Sequence, residues 1–361
     1  MSSSVDVAAI ESFVGAQAAA GFSGVVSVRE RGRDILSLAS GIANRAANIP
    51  VTTATRFDVA SIAKLLTATA TMQLVERRAF SLDTSVVEFL DLDRSHFSPL
   101  ITPHHLLSHT SGIGDDADEE AGERYEDLFV DMPNYRVRET RDQFAMFATR
   151  APNFQAGAGT RYCNAGFVLL GLMIEQSTGM RYRDYVVEHV FGPAHMTGAG
   201  WFSMDLVEPD IAEGVEAVRD ADGSVTGWQR NIYSYPPIGG PDGGVYVTAD
   251  DMFALHDALT AGTILGPSSF AAMRTPQAFY KEQLNRSIRG HDNGAAHHTG
   301  YGFECEVRPD GSVRSYWKEG INFGTSACFR HYPEVDVSTV VLAVGEDNAW
   351  DVTTLIDASI P

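Results

Sequence analysis

Ser61 and Lys64 set a hydroxyl and an amine three positions apart in Ser61-Ile62-Ala63-Lys64. On a helix, residues i and i+3 share a face. A serine in the first turn also sits in the positive field of the helix N-terminus, where an N–H without an intrahelical partner can face a developing oxyanion. The pair therefore offers a nucleophile, a neighbouring amine and half an oxyanion hole, which is the equipment for acyl transfer to serine. The lysine content sharpens the reading. The chain contains only Lys64, Lys281 and Lys318, and its other cationic side chains, histidines aside, are arginines. A guanidinium stays charged at any working pH, whereas a desolvated ammonium can lose its proton. A chain that otherwise avoids lysine keeps it where proton transfer needs it.

Lys318 opens Lys318-Glu319-Gly320, in a strand-like run. A strand edge can present a backbone N–H as a second oxyanion donor, and a glycine lets substrate come close to the backbone. Lys318 also closes a second serine–lysine tetrapeptide, Ser315-Tyr316-Trp317-Lys318. In a strand that spacing puts the two side chains on opposite faces, so this copy reads as accidental. Tyr162-Cys163-Asn164 lies just before an apolar run that starts at Ala165. A phenol with a pKa near ~10 is a poor base. Ammonium groups at Lys64 and Lys318 would favour its phenolate. Taken alone, Tyr162 and Asn164 fit a packed ring beside a helix cap better than a catalytic pair, and Lys318-Glu319 fits an exposed ion pair.

The elements that must position these residues are legible in outline. Residues 5–20 read as an amphipathic helix, 24–29 and 34–39 as strands joined by a hairpin turn at 30–33. Ser61 opens a helix over 61–76 with an apolar stripe of Leu65, Ala68, Met72 and Val75. Helices are expected over 167–176, 182–190 and 248–259, the last capped by Thr248. Residues 301–307, 313–318, 326–332 and 338–344 read as successive antiparallel strands, and 350–359 as a closing helix. Strand-rich ends around a helix-rich middle predict an α/β (α+β sandwich) fold. Residues 1–60 and 300–361 would form an antiparallel sheet domain flanked by helices, 61–299 an inserted, mainly helical domain, with the active site between them. Residues 115–127 are densely acidic and read as a solvated surface insertion, and 289–300 as a mobile loop.

Composition narrows the function classes. With 361 residues, 44% of them hydrophobic, the chain can build a full core. A formal net charge of −20 repels nucleic acid and anionic membranes, and neither is expected as a partner. Three scattered cysteines, Cys163, Cys305 and Cys328, form no disulfide framework and no metal-ligand pattern. The sequence from Met1 to Asp6 lacks a basic and then apolar leader, so a cytoplasmic location is expected. His105 and His109 are spaced i, i+4, but no His-Glu-x-x-His motif exists and the histidines read as structural. There is no Gly-x-Ser-x-Gly elbow, and Gly157-Ala158-Gly159 lacks the rest of a nucleotide fingerprint. No metal or cofactor is expected.

Taken in order, Ser-x-x-Lys at 61–64, Tyr-x-Asn at 162–164 and Lys-x-Gly at 318–320 resemble the motifs of the serine β-lactamase and penicillin-binding-protein superfamily. The tyrosine points to its class C-like branch, which also holds DD-peptidases, D-aminopeptidases, D-amino acid amidases and esterases. The stretches 105–112, 159–166 and 243–252 are similar to segments of the same branch. The resemblance implies that Ser61 is acylated, that Lys64 and Tyr162 share proton transfer in an order it leaves open, and that Asn164 orients a substrate carbonyl or amide. Lys318 would hold charge beside Tyr162, and Ile321, after Gly320, would give the second oxyanion N–H. The chain departs from the pattern at Cys163, which replaces a common serine, in a shorter and less glycine-rich 321–325, and at Glu319. Glu319 stands where β-lactamases carry threonine, and a carboxylate there would repel an anionic substrate. The reading is therefore a serine hydrolase acting through an acyl-enzyme on a small ester or amide. A D-amino-acid peptidase or β-lactamase comes next, and a non-turnover acyl-binding or sensor protein is the alternative of another class.

Overall fold

The computed structural model describes residues 5–281 and 294–360. Residues 1–4 and 289–293, parts of two stretches discussed above, lie outside the described residues. The sheet is antiparallel and eight-stranded. Its strands are β1 (Gly24–Glu30), β2 (Arg33–Ser40), β3 (Ala278–Lys281), β4 (Ala296–Thr299), β5 (Glu304–Val307), β6 (Val313–Asn322), β7 (Thr325–Tyr332) and β8 (Val337–Val344), in the order β2-β1-β8-β7-β6-β5-β4-β3. The β1–β2 hairpin closes over Arg31 and Gly32, with φ of 51° and 72°. Positive φ at both central residues matches the right-handed twist of the flanking strands.

The sheet separates two apolar layers, and side-chain alternation in β8 shows how. Val341 and Val337 pack outward with Trp317, Cys328 and the helices α1 (Val7–Ala19) and α6 (Trp350–Ser359). Val340 and Leu342 pack inward, against the helical side. Strands buried on both faces read as continuous apolar runs, as 340–344 does. The helical side is built around α2 (Ala63–Glu76) and α4 (Asn164–Thr178), with α3 (Thr140–Phe147) and α5 (Ala249–Thr260) around them.

Several expectations need correction. The sheet takes strands β3 and β4 from residues before 300, so the expected boundary at 300 falls inside it. His297 and His298 belong to β4 rather than to a mobile loop, and His297 is fully buried. Helix α2 has no single apolar stripe, because every residue from Ala63 to Leu74 is buried. Its polar side chains are satisfied internally: Thr69 and Thr71 bond the carbonyls of Leu65 and Thr67, both at 2.7 Å. Gln73 bridges the carbonyls of His189 and Ile264. Strand β6 runs on through Gly320 to Asn322, because its pairing with β7 is unbroken from Tyr316 to Asn322.

Candidate active site

Ser61 lies in a short 3-10 turn, Ala60–Ile62, that leads directly into α2. Ala60 adopts φ 44°, a left-handed conformation costly for a residue with a Cβ. Side chains and backbone hold it there. The Ala60 N–H donates to Asp58 Oδ1 at 2.8 Å, and the Ala60 carbonyl accepts from the Gly244 N–H at 3.3 Å. Burial, opposed by hydrogen bonds from Ala60 and Tyr235, raises the Asp58 carboxyl to about 6.

One helical turn on, Lys64 is fully buried. Its Nζ donates to Ser61 Oγ at 3.0 Å, to Asn164 Oδ1 at 2.8 Å and to the Asp242 carbonyl at 2.6 Å. Three acceptors fix the direction of the amine. Burial, opposed by the Asp242 carboxylate and reinforced by Lys318, pulls the Lys64 ammonium down to about 8. The Tyr162 ring sits between two cations, with Lys64 Nζ 5.0 Å and Lys318 Nζ 4.8 Å from its centroid. The expectation that these cations favour a phenolate is not met. Burial, with Glu119 adding to it, raises the phenol well above its ordinary range, against the lowering effect of a hydrogen bond with Ser61. The resting pair is thus a lysine poised to lose its proton beside a tyrosine that keeps its own.

Tyr162 and Asn164 are held by the acidic stretch read above as a solvated insertion; residues 120–124 are exposed as expected, but its start is not. Asp115 and Asp116 are buried. The Tyr162 N–H donates to Glu120 at 3.3 Å and the Cys163 N–H to His109 Nδ1 at 3.1 Å. Those of Asn164 and Ala165 donate to the Asp115 carboxylate at 2.9 and 2.8 Å. The first N–H groups of a helix have no intrahelical acceptor, and these side chains supply them for α4. Asp118 pairs with Arg161 at 2.5 Å, and Glu119 accepts from Asn164 Nδ2 at 3.3 Å. His109 also stacks on the Tyr162 ring at 4.6 Å. Burial, with Lys318 and Lys64 adding to it, keeps its imidazole well below the usual range, so it accepts at Nδ1 as a neutral ring.

Lys318 enters from β6 and is 1% exposed. Its Nζ lies 2.8 Å from Glu304 Oε1, and Glu304 Oε2 lies 2.8 Å from His297 Nε2. Burial alone would raise the Glu304 carboxyl, but Lys318 and the hydrogen bond from His297 outweigh it and hold it below the ordinary carboxylate range. Neither Glu304 nor His297 was singled out in the sequence. The accidental serine–lysine copy is resolved as alternation requires. Ser315 bonds Glu306 and Arg330 in a buried charge cluster, while Lys318 faces Tyr162.

Gly320 has a tighter reason to be glycine than substrate approach. A Cβ there would lie 2.1 Å from the Val59 carbonyl oxygen and 2.9 Å from Ser61 N. The strand therefore packs directly on the Ser61 turn, and Ile321, next along it, lines the same cavity as Ser61. That cavity, about 740 Å³, is bordered by Tyr162, Lys318, Glu319, Glu304, Glu119 and Glu120 among others. Glu319 points to the opposite strand face from Lys318, opposite Cys328 in the ladder, and still borders the opening. Among the described residues no group of three or more His, Cys, Asp or Glu is placed to hold a metal ion. No helix among them is long and apolar enough to cross a membrane.

This sheet, with serine, lysine and tyrosine gathered where it meets the helices, defines the penicillin-binding-protein-like class of serine hydrolases. The chain belongs to the Beta-lactamase family, whose profile matches residues 8–358. It is 31% identical over 281 residues to esterase EstB of Burkholderia gladioli, covering 70% of each chain. It is 26% identical over 351 residues to a D-aminopeptidase of Brucella canis, covering 96% of this chain and 61% of that one. A penicillin-binding protein of Bacillus halodurans superposes with a TM-score of 0.83 at 35% identity, over 97% of this chain and 99% of that one.

Proposed function

We propose that the chain hydrolyses small neutral or amine-bearing esters and amides through an acyl-enzyme on Ser61. The observation that carries this is the Lys64 amine, buried, drawn down to about 8 and 3.0 Å from Ser61 Oγ. In this reading Lys64 takes the Ser61 proton as Oγ attacks the substrate carbonyl. Tyr162, protonated at rest and hydrogen-bonded to Ser61, passes a proton to the leaving group. The N–H groups of Ser61 and Ile321 meet the oxyanion, with Gly320 setting their separation. Asn164, held by Lys64 and Glu119, orients the substrate carbonyl or amide.

Charge favours neutral and cationic substrates over penicillins and other carboxylates. Glu119, Glu120, Glu304 and Glu319 all border the cavity, and Lys318, the cation nearest Tyr162, is already paired with Glu304. A carboxylate entering this site meets a wall with more carboxylates than cations, and the Lys318 ammonium is already engaged by Glu304. The esterase and D-aminopeptidase among the relatives are compatible with this preference. The test is p-nitrophenyl ester turnover with a fluorophosphonate probe. Native protein should be labelled and active, and Ser61→Ala neither. Labelling or turnover that survives in Ser61→Ala would overturn the reading. A burst without turnover would instead indicate a slow-deacylating acyl-binding protein.

A further inference from the structure

Tyr280, in the edge strand β3, borders the large cavity and has no part in the chemistry described so far. Its hydroxyl donates to Glu120 Oε1 at 2.5 Å, across 160 positions of chain. The same Glu120 oxygen accepts the Tyr162 N–H at 3.3 Å, and Glu120 Oε2 lies 3.5 Å from Arg161 Nη1. Residues 159–163 form neither helix nor strand, so their course depends on the acceptors that reach them. One carboxylate oxygen therefore ties the sheet edge to the backbone of Tyr162. Burial, with the Glu120 bond adding to it, raises the Tyr280 phenol, which keeps it a donor. The Tyr280 ring stands edge-on to His297, with centroids 4.8 Å apart. His297 Nε2 lies 2.8 Å from Glu304, the carboxylate that holds Lys318 beside the Tyr162 ring. Tyr280 thus touches both supports of Tyr162, one on its backbone and one on its flanking cation.

We propose that Tyr280 is a positioning residue for Tyr162, aligning its phenol through Glu120 for proton transfer to the leaving group. The inference rests on the role proposed for Tyr162 above. In that step the Tyr162 O–H bond breaks as its proton passes to the leaving oxygen or nitrogen, whose bond to the acyl carbon breaks. The proton that Lys64 took from Ser61 then restores the phenol. A donor out of line slows only a leaving group that needs the proton. Loss of the Tyr280 hydroxyl should therefore be felt according to the leaving group, which a purely structural role would not produce.

The experiment compares kcat/KM for ethyl butyrate and p-nitrophenyl butyrate in native protein, Tyr280→Phe, Glu120→Ala, their double variant and Tyr162→Phe. The two esters share an acyl group, but ethoxide needs a proton to leave and p-nitrophenolate does not. Phenylalanine keeps the ring on His297 and removes only the hydroxyl. Tyr280→Phe should lower the ethyl ester about tenfold, a part of the roughly 10²–10⁴ that general acid catalysis supplies, and leave the p-nitrophenyl ester nearly unchanged. In the Glu120→Ala background it should cost nothing more, because the bond acts through Glu120. Equal loss on both esters would mark Tyr280 as structural and overturn the proposal, as would no loss on either or a further loss in the double variant. Tyr162→Phe should show the same split, larger. If it slows both esters equally, Tyr162 is not the leaving-group acid and the proposal falls with that role. Fluorophosphonate labelling of Ser61 then decides the acyl-enzyme reading separately.

Discussion

Lys318 Nζ is bonded to Glu304 Oε1 at 2.8 Å inside the fold, and Glu304 in turn to His297. The ammonium beside Tyr162 is therefore paired with a carboxylate. Glu304→Gln would release it while leaving a hydrogen-bonding side chain. The expected outcome is a rise of roughly tenfold in the ratio of nitrocefin to p-nitrophenyl acetate specificity constants, corresponding to about 1.4 kcal/mol. A constant ratio would show that Lys318 plays no part in reading substrate charge.

Glu319→Thr tests the other carboxylate at the same edge. At partly screened dielectric a carboxylate near a substrate anion costs roughly 1–4 kcal/mol. Selectivity should move toward nitrocefin and away from a short neutral ester. Because Glu319 points to the strand face opposite Lys318, its effect should be the smaller of the two.

Lys64→Arg keeps the charge and removes the transferable proton. Acylation should fall by about 10²–10⁴, the range for loss of a general base. The pH profile gives a second readout. Burial lowers the Lys64 ammonium to about 8, so the amine form grows as pH rises through that value and the native acylation rate should climb with it. In Lys64→Arg that limb should vanish. A native rate flat between pH 7 and 9 would argue against Lys64 as the base.

Asp115→Ala removes the acceptor for the N–H groups of Asn164 and Ala165. Loss of a helix cap costs about 0.5–2 kcal/mol. Urea denaturation should show that loss. Turnover should fall further than stability predicts, because Tyr162 and Asn164 lose the register that the acidic stretch imposes.

Gly320→Ala would drive a methyl group into Val59 O and Ser61 N. Either the strand or the Ser61 turn must move, and a displacement on the order of 1 Å at the nucleophile can cost about 100-fold in rate. The check is kcat/KM for the ester together with thermal unfolding. Near-native turnover would mean that β6 does not set the oxyanion geometry.

Sequence by itself determined what depends on short-range periodicity. The helical spacing of Ser61 and Lys64, the opposed faces of Ser315 and Lys318, and the strands at 326–332 and 338–344 follow from local pattern and backbone geometry. The order of the motifs was enough to indicate the family. Tertiary structure decided what depends on partners far along the chain. Nothing local in residues 115–127 distinguishes a solvated acidic loop from one whose carboxylates cap α4, since the acceptors and the N–H groups they serve lie some fifty positions apart, as in Asp115 and Ala165. The same holds for Glu304 and His297, which become a charge partner for Lys318 only when β4, β5 and β6 pair. The Asp242 carbonyl that holds Lys64 is a backbone atom and leaves no residue-type signal at all. The opposite shifts of the two groups, the Lys64 ammonium down and the Tyr162 phenol up, likewise come from burial and from charges brought in by the fold.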